Sequence, residues 1–247
     1  MVNEITVPEI IQQLRKYRFQ AELNDSFEVA ALLEEEFLKD FIENLTMMIK
    51  APSVKVTASI FMKRYAFVAV MSLYAMTVWN KKINVSIDDI FMQNPEHGQD
   101  WLPSFSIKNG ADSGEEWSGH NRKEWREKVL HELFAENISL LIDQFEKTFK
   151  ISKLILWENI AVYLFWLYEA ELKDVVNPNK IEDFRFLIFE AEGKLFGHYK
   201  VNPLQKYYSK KKNIAASDEE IRIRKTCCFN YTLQGASKNC KTCPCRK

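Results

Sequence analysis

All five cysteines of this 247-residue chain lie between positions 227 and 245, and none precedes them. Their order is Cys227-Cys228, eleven residues, Cys240, two residues, Cys243, with Cys245 two positions further on. A short thiol-dense segment is organised by disulfides or by a metal. Disulfides suit small secreted chains, whereas this chain is long and opens at Met1-Val2-Asn3-Glu4 without the apolar stretch of a secretory signal. The reading is therefore of reduced thiols in the cytoplasm, gathered around metal. The Cys240–Cys243 spacing lets two sulfurs reach one ion. The adjacent thiolates of Cys227 and Cys228 diverge and fit poorly around a single tetrahedral zinc, whose ligands usually stand roughly two to four residues apart. A two-iron centre is wider, and four thiolates are its usual ligation. The pattern thus favours [2Fe–2S] on Cys227, Cys228, Cys240 and Cys243, with zinc the alternative.

The rest of the chain has material for a core. Hydrophobic residues make up 47% of it, while seven glycines and seven prolines are too few for a turn-rich all-β fold. Charges balance at 34 of each sign, so no overall basic field draws in nucleic acid. The longest uncharged apolar stretch, Tyr65 to Trp79, is fifteen residues. A bilayer requires about 20, so no transmembrane span is expected and the stretch reads as a buried helix.

Apolar periodicity predicts helices over residues 8–17, 27–50, 57–80, 122–149, 152–173 and 181–191. Alternation predicts a strand at 83–87 with 90–92 pairing back on it, and further strands at 104–108 and 195–201. Residues 94–119 are rich in Gly and Pro and read as loop, with Trp101 and Trp117 anchoring it. From Tyr207 to Glu220 the sequence is polar and reads as a mobile connector. The fold class expected is α+β and predominantly helical: a helical body over 1–208 with a small antiparallel sheet, then a linker and metal-binding segment over 209–247. The four histidines, His97, His120, His131 and His198, are scattered, and there is no phosphate-cradling Gly-rich loop or dinucleotide fingerprint. Electrons for a redox centre would come from outside the chain.

The run Arg224-Lys225-Thr226-Cys227-Cys228-Phe229-Asn230-Tyr231, followed by Cys240-Lys241-Thr242-Cys243-Pro244, resembles the C-terminal signature of the FhuF-type ferric-siderophore reductases. The likeness extends more weakly through Lys63-Arg64-Tyr65-Ala66-Phe67 and Lys81-Lys82-Ile83-Asn84-Val85-Ser86. The family spaces the halves of its motif by about ten residues, one fewer than here, and a Gly-containing loop absorbs one more residue easily. Cys245 is extra to the motif. The resemblance implies a [2Fe–2S] oxidoreductase that reduces Fe(III) in an imported siderophore, with the hydroxamate type among the candidates. It also implies an external donor such as a ferredoxin-like or flavin protein.

Iron chelates are often anionic, which makes Arg64, Arg122, Lys200 and Lys206 the candidate substrate-binding cations. Arg224 and Lys225, beside the first cysteines, are placed to stabilise the added negative charge of a reduced cluster. The rival expectations are a zinc-stabilised siderophore-binding module and an iron–sulfur electron carrier without a substrate of its own.

Overall fold

The computed structural model describes residues 6–95, 100–214, 217–233 and 239–245. His97, the opening Met1–Glu4 and the Gln234–Lys238 part of the spacer between the cysteine pairs lie outside the described residues.

The body is built on α3 (Val54–Tyr74), carried on by a wider π turn over Ala75–Trp79 and stopped at Asn80, whose φ of 53° is left-handed. Small residues line this helix, and Ala58, Ser59, Ala66, Ala69 and Ser72 are fully buried. They let α6 (Lys153–Trp166) lie closely along it. By length and composition Val54–Trp79 could cross a membrane, but 83% of its apolar window is buried inside the protein, so it is the core helix. Around this pair lie α1 (Val7–Arg15), α2 (Glu35–Met48), α4 (Arg122–Leu133), α5 (Ser139–Phe149) and α7 (Asn179–Arg185). A π turn over Phe134–Ile138 joins α4 to α5, so residues 122–149 run as one continuous helical rod, as their periodicity predicts. Phe61 on α3 stacks on Trp101 with ring centroids 5.5 Å apart and meets Phe145 at 4.9 Å, so Trp101 anchors its loop to the core. Burial of this kind is worth about 3–5 kcal/mol per Phe-to-Ala truncation.

The strands are short. β3 (Ile90–Gln93) pairs antiparallel with β1 (Phe27–Glu28) on one side and β4 (Ser104–Ile107) on the other. It does not fold back on residues 83–87. β2 (Lys81–Ile83) pairs instead with β5 (Gly114–Glu116). Two other expectations are corrected. The helix expected from Phe27 starts only at Glu35, because Phe27–Glu28 join the sheet and Val29–Leu33 form a 3-10 turn that buries Val29 and Leu32. The strand expected at 195–201 is replaced by a 3-10 turn over Gly193–Phe196. There the chain crosses itself so closely that a Cβ on Gly193 would stand 2.3 Å from the Tyr199 carbonyl oxygen.

The connector is also more ordered than its polarity suggests. β6 (Lys212–Ile214) and β7 (Ser217–Ile221) form an antiparallel hairpin. Just beyond it the Arg222 guanidinium lies over Tyr208 at 4.0 Å and Phe165 at 5.1 Å, and it is ion-paired with Glu169. The molecule is α+β and mostly helical, with a cysteine-rich segment after this hairpin.

Candidate metal centre

Helix α6 is apolar nearly all round, and in its sequence Glu158 and Asn159 interrupt the run. Both are buried, at 2% and 0% exposure. A buried carboxylate is costly unless its oxygens are satisfied. Here the tail satisfies them. The backbone N–H groups of Lys225 and Thr226 each donate to Glu158 at 2.6 Å, and the Thr226 hydroxyl donates to it as well. Arg224 Nη2 donates to Asn159 Oδ1 at 2.6 Å, and Arg224 Nε lies 3.8 Å from Glu158. Asn159 Nδ2 donates in turn to Ser59 on α3, and Ser59 Oγ donates to the Cys228 carbonyl at 3.0 Å. Two helices of the body thus clasp the chain from Arg224 to Cys228.

The second half of the cysteine motif is tied to the first. Arg224 N–H donates to the Thr242 carbonyl at 2.9 Å, and Cys243 N–H closes a turn onto the Cys240 carbonyl at 2.9 Å. Phe229 adopts φ 61°, and its N–H donates to Cys227 Sγ at 3.3 Å. Lys63 reaches in from α3, 3.5 Å from Asn230 Oδ1.

All five thiols are free. The sulfurs of Cys227, Cys243 and Cys245 lie within 4.8 Å of one another. Those of Cys228 and Cys240 share a hydrogen bond. Cys228 and Cys243 are buried, Cys227 and Cys240 half-buried, and Cys245 exposed. That hydrogen bond, with help from the positive charges of Lys63 and Arg224, holds the Cys228 thiol down at about 5. Cys240, the donor, is pushed up correspondingly. Burial pushes Cys227 up to about 11. Thiols in two adjoining groups, with cations and an N–H aimed at sulfur, suit a thiolate-ligated centre broader than one ion.

Beside the sulfurs opens a cavity of about 410 Å³. Its wall is largely apolar, from Val162, Tyr163, Phe165 and Trp166 on α6 to Tyr207, Ile221 and Ile223. Cys240 and Thr242 form one edge. The charged residues on it are Lys63, Lys211, Arg222 and Arg224 against Glu158, Glu169 and Glu220. The π turn over Leu167–Glu171 continues α6 and carries Glu169, which pairs with both Lys211 and Arg222.

The four candidate cations read from sequence fall in different places. Arg122 is held by Asp183 and Asn80 and stacked over Trp117 and Trp125, so its guanidinium is fully engaged within the body. Lys200 is exposed. Lys206 is exposed too, and its Nζ lies 5.2 Å from the Tyr207 ring centroid. Partial desolvation of the ammonium, then repulsion from Lys225, lowers its pKa. Arg64 is half-buried beside Arg18. The cations on the cavity wall are others, and only Lys63, Arg64's neighbour in sequence, and Arg224 carried any signal. In sequence, Glu158 and Asn159 read as interruptions of an apolar helix and Ser59 as one of the small residues along α3. A Glu-Asn pair buried in an otherwise apolar helix was the one available hint.

A mostly helical body clasping a segment of clustered free thiols has the donor set of a thiolate-ligated metal protein. Residues 59–213 match the family described as ferric iron reductase FhuF-like transporter, and residues 224–244 match the FhuF 2Fe-2S C-terminal domain. The first match spans well over half of the chain, which therefore belongs to the FhuF ferric iron reductase family. Its cofactor is a [2Fe–2S] cluster, which sets the zinc alternative aside. No curated protein matches the chain.

Proposed function

We propose that this protein is a ferric-siderophore reductase of the cytoplasm. On this reading Fe(III) in an imported siderophore gains one electron, Fe(II) is released, and an external ferredoxin-like or flavin protein is oxidised in turn. When bound, the cluster supplies single electrons, which is the step this chemistry requires. Hard oxygen ligands hold Fe(III) much more tightly than Fe(II), so one electron loosens the chelate. The observation that carries the reading is the apolar-walled cavity with Cys240 on its edge. Its residues would seat a chelate against the sulfur segment and exclude water from the contact. Four cations face three carboxylates there, so the wall is close to neutral. That balance suits a chelate of low net charge, such as a ferric trihydroxamate, better than a multiply anionic one.

In this scheme residues 1–208 form the substrate-binding body and 209–247 the linker and cluster segment. Cys227, Cys228, Cys240 and Cys243 are the ligands, and Lys63 and Arg224 offset the charge of the reduced state. Single Cys→Ser changes test the ligand set. Each of those four should bleach the visible spectrum, and Cys245→Ser should leave it intact; bleaching by Cys245→Ser would reassign a ligand. The function is tested by mixing anaerobically reduced protein with ferric siderophores in the presence of a ferrous trap. Reoxidation of the cluster together with trapped Fe(II) supports the reductase. A cluster that stays reduced with every siderophore class favours an electron carrier.

A further inference from the structure

Most arginines that the fold takes out of water meet a carboxylate. Arg122 and Arg126 share Asp183, Arg222 has Glu169, and Arg224 has Glu158. Among the described residues two half-buried arginines break this rule. Arg18 and Arg64 make no ion pair and no side-chain hydrogen bond with any described residue, and Arg18 Nη1 and Arg64 Nε are buried without a partner.

The two lie together. Arg18 sits over the ring of Phe67 at 4.6 Å, and Phe67 stands three residues after Arg64, on the same face of α3. Their charges repel: burial, then Arg64, lowers the Arg18 pKa, and no carboxylate is among the groups acting on it. Arg18 is also fixed in place. Its φ is 70°, a left-handed conformation uncommon for a residue with a side chain. Its N–H donates to the Arg15 carbonyl, and its carbonyl accepts from Phe105 N–H at 2.9 Å. Two like charges held side by side, half out of water and without a counterion, cost folding energy. An anion placed between them would recover it through charge-assisted hydrogen bonds.

A layer of rings joins the pair to the cavity wall. Phe67 packs on Tyr163 at 5.0 Å and on Trp166 at 6.3 Å, and both of those rings line the cavity wall. We propose that Arg18 and Arg64 form a binding site for an oxyanion, a carboxylate or phosphate borne by a chelate seated in that cavity. This rests on the reductase reading and deepens it: the near-neutral cavity takes the iron-bearing core, and the arginine pair takes one anionic substituent that reaches past the Tyr163 and Trp166 rings. The site selects among chelates by that substituent.

The test uses the oxidised, cluster-loaded full chain, so that no electron transfer enters the readout. Calorimetry compares a ferric trihydroxamate carrying a free carboxylate with its neutral amide counterpart, and inorganic phosphate and citrate serve as free-anion probes. The carboxylate form should bind about tenfold more tightly than the amide. That preference should vanish in the double variant Arg18→Gln/Arg64→Gln, whose visible spectrum reports an intact fold. Arg64→Lys, which keeps the charge but not the fork of donors, should retain part of it. Nitrogen-15 spectra of the arginine Nε–H groups should show two of them shifting with the carboxylate chelate. Binding of phosphate or citrate with no preference between the two chelates would mean the site takes free anions only and would overturn the proposal. Equal affinity for both chelates in the unsubstituted protein would overturn it too, as would a preference surviving in the double variant. In each case reduction of the neutral chelate still decides the reductase reading separately.

Discussion

Asp183 and Glu158 are both almost wholly buried, at 0% and 2% exposure, and the protein answers them differently. Asp183 accepts from Arg122 Nε and Nη2 at 3.1 and 2.6 Å and from Arg126 Nη1 at 3.2 Å. All partners belong to the body, and the result is a closed cross-link between α4 and α7. Glu158 accepts chiefly from the backbone of a segment more than sixty residues away in sequence, at Lys225 and Thr226. One carboxylate locks the scaffold to itself, and the other holds the cysteine segment to the scaffold. The difference teaches that buried charge in this fold has two uses, and that substitutions can separate them.

The largest effect is expected from Asp183→Ala. It leaves Arg122 buried on α4 without a carboxylate partner and Arg126 with only the exposed Glu182, and removing one partner of such a network costs about 3–5 kcal/mol. Urea denaturation followed by tryptophan fluorescence should show it as a lower midpoint, with cluster content falling only as the body unfolds. Glu158→Ala should reverse the pattern. Cluster absorbance should drop to a minor fraction while the urea midpoint moves less, because Arg224 belongs to the tail and can leave with it. Glu158→Gln, which keeps an acceptor, should hold more cluster than the alanine variant. If both Glu158 variants lower the midpoint as much as Asp183→Ala, the contrast between the two carboxylates fails. Ser59→Ala is a smaller probe of the same clasp. It removes the donor to the Cys228 carbonyl and should cost about 0.5–1.5 kcal/mol, read as faster loss of cluster to a chelator.

The smallest effect within the ordinary working range comes from pH. Tyr65 is wholly buried and Tyr168 nearly so, and burial raises both pKa values well above the usual 10. For Tyr168 the charge of Asp183 adds to the rise. A group whose folded pKa is raised contributes stability that is fully present below its unfolded value and is lost as pH climbs past it. The melting temperature of the body should therefore be insensitive to these tyrosines below pH 10 and fall above it. Tyr168→Phe should flatten that alkaline fall.

Much of this architecture could be read from the chain itself. Helical periodicity located the core helix around Tyr65–Trp79, the continuous rod over 122–149 and the apolar helix carrying Trp157, because each buries a stripe or a whole surface over many turns. The cysteine segment was legible from its composition. What was not legible depends on contacts distant in sequence. β3 chooses β1 and β4 as partners through pairings that no local pattern encodes. The polar connector pairs as a hairpin, and Arg222 just beyond it meets Phe165, Tyr208 and Glu169, partners distant in sequence. Arg122 read as a free cation, yet it fills the Asp183 site 61 residues away. Glu158 read as a break in an apolar helix because its partners, at 225 and 226, become neighbours only once the tail docks.

Reduction of chelated iron by this protein depends on a two-iron centre in the clasped cysteine segment that passes single electrons. Electron paramagnetic resonance of the anaerobically reduced full chain tests this most directly. The expected result is a spin-half signal of a reduced [2Fe–2S] centre that disappears when a ferric siderophore is added. Reduced protein without that signal, or a signal untouched by any ferric chelate, would contradict it.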